Sequence, residues 1–263
     1  MNIKYSRKIE NRYAVFEKKI PRIVTVSGIM LILIIWEIAS KSGLISELYL
    51  PSPTSILLTS QKMLISGELL INLKASLYRI IIGFLTGSIA GVLAGLIIGF
   101  SKIAESIGNP IVYSIYPIPK IALLPLIILW LGIGEVSKIS IISLGVFFPV
   151  VINTYSGVKS IDKSLLKVAI SFKTSRLNII MKVILPGALP MIFAGLKLAA
   201  GTSLLLLIAA EMIAAKEGIG SMILHYGDLM LTTKLMVGII TLSILGVLFT
   251  HSISWIEKIF IKW

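Results

Sequence analysis

The chain has 263 residues, 56% of them hydrophobic and only 14% charged, with a formal net charge of +13 and no cysteine. At a mean hydropathy of +0.98 it is too apolar for a water-soluble domain, and several runs approach or exceed the ~20 apolar residues that cross a bilayer. An all-α polytopic membrane protein follows; disulfide frameworks and thiolate metal sites are excluded, and the basic residues, clustered between spans with no nucleic-acid-binding motif, obey the positive-inside rule.

Residues 1–22 form a basic leader carrying Lys4, Arg7, Lys8, Arg12, Lys18, Lys19 and Arg22, expected in the cytoplasm. Residues 23–40 read as an uncleaved first transmembrane helix, because Trp36-Glu37 stands where a cleavage site needs small neutral residues. By alternation, residues 41–75 are an extracytoplasmic loop turning at Pro51-Ser52-Pro53. Residues 76–257 then form a five-helix core. Its first span, Leu77 to Phe100, carries Gly83, Gly87, Gly91, Gly95 and Gly99. Four overlapping G-x-x-x-G steps predict close helix packing where lipid offers no hydrophobic drive. The row drifts about 40° per step around an ideal helix, so a crossing neighbour suits it better than a parallel one.

Residues 101–138 contain Pro110, Pro117, Pro119 and Pro125, which predict a broken span. Lys120 in its middle needs protein, water or the membrane interface around it. Ile139 to Asn153 is the fourth span. The segment 159–186 follows with Lys159, Lys163, Lys167, Lys173, Arg176 and Lys182 against one acid, Asp162. Ile161, Leu165, Val168, Ala169 and Phe172 recur at helical spacing. Thr174 or Ser175 can cap a second short helix, which Pro186 is expected to end. Charge alone allows a loop that only fixes topology; the apolar stripe allows an amphipathic docking element. Leu185 to Ile213 is the fifth span. Glu211, near its far end, reads as an interface anchor or as a pathway or structural ion-pair group. Residues 214–234 form an external loop, whose lone His225 lacks companion ligands for a metal. Leu235 to Trp255 is the sixth span, so both termini lie inside.

The segment from Lys167 to Pro186 resembles the EAA loop of binding-protein-dependent ABC transporter permeases. Lys167-Val168-Ala169 stands at E-A-A, Lys173 at the glycine, and Val183-Ile184-Leu185-Pro186 at I-x-L-P, with every spacing kept. Lysine replaces both the acid and the turn glycine. If that turn needs a positive φ, Lys173 costs on the order of 1 kcal/mol relative to glycine. The run PIPKIALLPLIILWLGIGE, the L-P-S-P piece and GLKLAAGTS followed by A-E-M resemble the nitrate/sulfonate/taurine-type permeases.

The resemblance implies a type I ABC importer permease fold with a cytoplasmic coupling helix pair. It also implies a cell-membrane assembly of two permease copies, two ATPase subunits and an extracytoplasmic solute-binding protein. This chain would bind no cofactor, with ATP and magnesium held by the partner ATPase, and the cargo would be a nitrate/sulfonate/taurine-like anion. The ATPase-facing residues would be Lys167, Val168, Ala169, Phe172, Lys173, Leu177, Val183, Leu185 and Pro186. Candidates for the translocation path are Asn153, Thr202, Ser203 and Glu211. The sequence carries no G-x-x-x-x-G-K-[ST], H-E-x-x-H or nucleophile elbow, so it reads as a non-enzyme. The alternative is a secondary transporter or channel using Lys120 and Glu211 without an ATPase.

Overall fold

A computed structural model describes residues 22–262; the basic leader before Arg22, and Trp263, lie outside them. The chain forms α1 (Arg22–Lys41), α2 (Pro53–Ile65), α3 (Glu68–Phe100) and α4 (Lys102–Ile115). A 3-10 turn at Lys120–Leu123 leads into α5 (Leu124–Leu131), followed by α6 (Glu135–Lys159) and α7 (Lys163–Ser171). The remainder is α8 (Arg176–Ile179), α9 (Leu185–Ala214), α10 (Ile219–Asp228) and α11 (Thr232–Phe260). Among the described residues, five helical runs are long and apolar enough to cross a membrane, or six if the bent pair α4–α5 counts as one.

The glycine row of α3 meets a matching row on α6. A Cβ on Gly91 would lie 2.8 Å from Val150 Cβ and 2.9 Å from the Phe147 carbonyl, and one on Gly95 would lie 2.6 Å from Thr154 Cβ. Gly83, Gly87 and Gly99 face Ile142, Val146 and Val158 in the same way. The α6 row also advances in steps of four, so its drift matches that of the glycines. Accordingly α6 runs in the same direction as α3 and follows the ribbon over all four steps, rather than crossing it once. On another side, α9 packs antiparallel to α6: Gly157 meets Ala188 and Met191, and Gly195 meets Asn153. Thus α6 sits between α3 and α9.

Three boundaries differ from the sequence reading. The stretch expected as a loop over 41–75 is largely helical. Ser52 accepts a hydrogen bond from the Ser55 amide at 3.3 Å, with Pro53 in the first turn, so Ser-Pro starts a helix here instead of marking only a turn. The second span begins at Glu68 and not near Leu77, because its polar first turns point Asn72 and Ser76 into contacts described below. Pro186 does not end a helix. One helical run extends from Arg176 to Ala214, and a wide i→i+5 turn at Ile180–Ile184 precedes the proline. That turn lies where Pro186 lacks an amide and would press on the Lys182 carbonyl.

The proline-rich segment breaks as expected, with α4 and the Lys120–Leu131 run meeting at 89°. Lys120 closes the break by donating from Nζ to the Ile115 carbonyl at 3.1 Å and to that of Tyr116. Replacing Gly91 by leucine should force α3 off α6 and cost about 1–3 kcal/mol. Thermal unfolding in detergent is expected to show a lowered Tm, whereas the same change at Gly28, which has open space around it, should leave Tm unchanged.

Candidate functional site

Three features bear on function: a buried ionic cluster, a helix pair standing clear of the bundle, and a groove at the broken span. The cluster gathers around Arg79 on α3. Its Nη1 donates to Glu211 at 2.7 Å and to the Glu217 carbonyl at 2.6 Å, while Nε reaches Glu135 at 2.6 Å. Lys138 also donates to Glu135, at 2.8 Å. Ser76 donates to Glu211 at 2.8 Å, and so does the Gly220 amide. The Arg79 and Glu211 side chains are only 4% and 1% exposed, so each neutralises the other where water cannot. Gly218, at φ +134, has no Cβ because one would fall on the Glu211 carboxylate. The cluster ties α3, α6, α9 and the start of α10 together. Sequence reading named Glu211 but not its partner. An arginine flanked by Tyr78 and Ile80 at membrane depth, with an acid on another span, was the available signal.

At the other end of α6 and α9, the pair α7–α8 stands clear. Leu165, Val168, Phe172 and Leu177 are 55–80% exposed, and Lys167 and Lys173 are exposed beside them, with Ala169 half-buried. Ile161 instead turns inward against Gly187. Val183, Leu185 and Pro186 are half-buried in the wide turn and the root of α9. Asp162 caps α7, accepting from the Ser164 amide at 2.8 Å, and this bond holds its carboxylate below the ordinary 3.8. A depressed carboxylate stabilises its fold above the unfolded pKa and stops doing so as pH falls through the folded one, so the cap is intact at neutral pH.

The turn after α7 has the geometry of a Schellman motif. The Thr174 amide donates to the Ala169 carbonyl at 3.2 Å and that of Lys173 to Ile170 at 2.8 Å. Lys173 occupies the left-handed position at φ +52. The turn therefore does require the conformation that glycine adopts without strain.

The groove, about 510 Å³, is lined by Tyr116, Lys120, Pro149, Thr202, Leu205 and Leu206, among others. Pro149 has no amide to offer the Gly145 carbonyl, and Thr202 Oγ1 reaches that oxygen at 3.4 Å from α9. Of the four residues read as pathway candidates, Thr202 alone lines this groove. Asn153 is half-buried in the α6–α9 seam, donating to the Pro149 carbonyl at 2.8 Å. Ser203 and Glu211 are enclosed within the bundle at 0% exposure. Ser203 donates to the Ala200 carbonyl at 2.7 Å, and Glu211 takes the ion-pair role among those left open for it.

A bundle of membrane-length helices with a groove at a broken span and an uncovered helix pair at one end is the architecture of a membrane permease. The family described as binding-protein-dependent transport system inner membrane component matches residues 87–263. The chain is 39% identical over 232 residues to SsuC of Bacillus subtilis (strain 168), named an aliphatic sulfonates transport permease protein, covering 88% of this chain and 84% of that one. It is 32% identical to the taurine transport system permease protein TauC of Escherichia coli (strain K12), covering 100% of this chain and 98% of that one. In fold it is similar to a chain of the MetNI methionine ABC transporter in an inward-facing conformation, with a TM-score of 0.62 at 20% identity over 72% of this chain and 94% of that one. The protein belongs to the binding-protein-dependent permease family: it has the type I ABC importer permease fold and is a permease subunit of an ABC importer.

Two predictions follow from the local geometry. Arg79→Met leaves Glu211 charged and enclosed, which should cost about 3–5 kcal/mol; the expected readout is a large fall in detergent Tm or loss of folded protein. Lys173→Gly should remove about 1 kcal/mol of strain from the left-handed turn, seen as slower exchange of the Thr174 amide, which donates to Ala169.

Proposed function

We propose that this subunit pairs with a second copy of itself in the cell membrane and docks two ATPase subunits through α7 and α8. ATP and magnesium belong to those subunits. The 159–186 segment and both termini face the cytoplasm, and a solute-binding protein delivers cargo to the opposite face. Closure of the ATPase pair pushes α7–α8, and the push enters the bundle through the helical run that joins α8 to α9. The spans then alternate between inward-open and outward-open. The cargo is a small sulfonate-like anion, a reading supported by the relatives' names and by a cation at the broken span that has no carboxylate partner among the described residues.

The observation that carries the docking role is the uncovered face of α7–α8. Leu165, Val168 and Phe172, each more than half exposed, lie outside every run long enough to cross a membrane, and exposed Leu177 lies beside them at the very start of the 176–214 run. Exposed apolar surface rimmed by polar groups marks a protein interface. The rim is basic, with Lys163, Lys167, Lys173, Arg176 and Lys182 all exposed.

Co-purification from the native membrane tests the reading. The tagged wild-type chain is expected to bring down an ABC ATPase, and Ala169→Asp, which sets a charge into the apolar row, should reduce recovery by about tenfold or more, equivalent to a loss of ~1.4 kcal/mol or more. Equal recovery of the ATPase with both chains would exclude α7 as the docking element.

A further inference from the structure

We propose that the groove at the broken span is a binding site for a small organic monoanion with a short apolar tail, and that Lys120 sets its charge selectivity. This inference rests on the importer reading above and names the contacts by which that importer would choose its cargo. Three cations within the membrane-length segments are paired with carboxylates. Arg79 lies 2.7 Å from Glu211, Lys138 lies 2.8 Å from Glu135, and Lys197 is paired with Glu257. Lys120, like Lys74, Lys102, Arg176, Lys182 and Lys258 nearer the ends of such runs, has no carboxylate within 4.0 Å among the described residues. It differs from them in packing on Phe148 at the middle of α6 and lining a groove. A charge left without a counter-ion at that depth is costly, and such residues mark substrate pathways.

The surroundings of Lys120 hold the charge in place without cancelling it. Two of its three ammonium protons are directed at the carbonyls of Ile115 and Tyr116. The Phe148 ring lies 4.6 Å from Nζ and the Tyr116 ring 5.3 Å, close enough for cation–π attraction. These partners are neutral, so the full positive charge and a third N–H remain. The ammonium is thereby fixed in the lining of a groove whose other walls are largely apolar, including Pro149, Leu205 and Leu206. Thr202 lines it from the α9 side, with its hydroxyl proton directed at the Ala199 carbonyl at 3.0 Å, so Lys120 is the donor left for an anion. At about 510 Å³ the groove falls within the ~300–1,000 Å³ usual for small-molecule sites, which combine apolar walls with a few placed polar groups. A bare inorganic anion would use the ammonium and leave the apolar walls without a partner. An oxyanion head carrying a short alkyl chain uses both, the head on Lys120 and the tail against Pro149 and Leu205.

The test uses the whole complex, with its ATPase and binding protein, in proteoliposomes, following ATP-driven uptake of methane-, ethane- and butanesulfonate. Lys120→Met should lower ethanesulfonate uptake about tenfold or more, the effect of losing a charge-assisted hydrogen bond, and Lys120→Arg should restore most of it. Leu205→Trp narrows the apolar end and should lower the butanesulfonate-to-methanesulfonate uptake ratio several-fold while sparing methanesulfonate. Because Lys120 also closes the end of α4, Lys120→Met can fail to assemble; the chain-length ratio of Leu205→Trp then decides, and an unchanged ratio overturns the site. A wild-type complex that carries sulfonates while both variants match it overturns the site and leaves the importer reading standing. A wild-type complex that carries no sulfonate overturns the substrate reading and this site with it.

Discussion

Backbone-to-backbone approach of α3 and α6 is the constraint on which the rest of the molecule depends. In lipid, apolar side chains gain little by leaving one apolar medium for another, so helices associate through close packing and polar contacts. The five glycines of α3 allow that approach, and α6 answers with Ile142, Val146, Val150, Thr154 and Val158. With α3 fixed on one side of α6, the glycines at 145, 157 and 195 bring α9 against another side. The Arg79 cluster then fastens one end of this three-helix centre, where Glu135 opens α6 and Glu211 lies near the close of α9. The packing sets the helix positions, and the ion pairs fix their ends.

This arrangement offers a direct route by which a force applied to α7–α8 would reach the groove. The helix pair α7–α8 contributes no residue to the buried core, yet α8 continues into α9 without a loop, as part of a 39-residue helical run. Thr202, Leu205 and Leu206 of α9 form one wall of the groove, and Tyr116 and Lys120 at the broken span form another. Displacement of α8 along its axis would therefore shift one wall relative to the other, with the wide turn at Ile180–Ile184 as the place where the run can yield. Movement of packed elements past one another, rather than local flexing, suits a close-packed centre of this kind.

Much of this was legible in the sequence because the signals are local or periodic. Glycines at a four-residue interval, four prolines in one stretch and a loop with the EAA-type spacing each announce themselves without knowledge of the fold. The left-handed demand at Lys173 could be stated in advance as a condition, and the turn meets it. What escaped depends on tertiary contact. Arg79 gains its meaning only when Glu135, Glu211 and the Glu217 carbonyl converge from three other segments. The polar first turns of α3 resembled a loop because Asn72 and Ser76 have no visible partner until the Gly218 and Ile219 amides arrive beside them. Pro186 reads as a helix end unless the wide turn before it is known.

On the proposed mechanism this permease works only when driven through α7–α8. The most direct test is solute uptake into vesicles containing the chain alone, compared with vesicles containing it together with its ATPase and binding protein. The account predicts sulfonate uptake only in the complete assembly and only with ATP present. Uptake by the chain alone, driven by an ion gradient and indifferent to ATP, would contradict it and assign the protein to secondary transport.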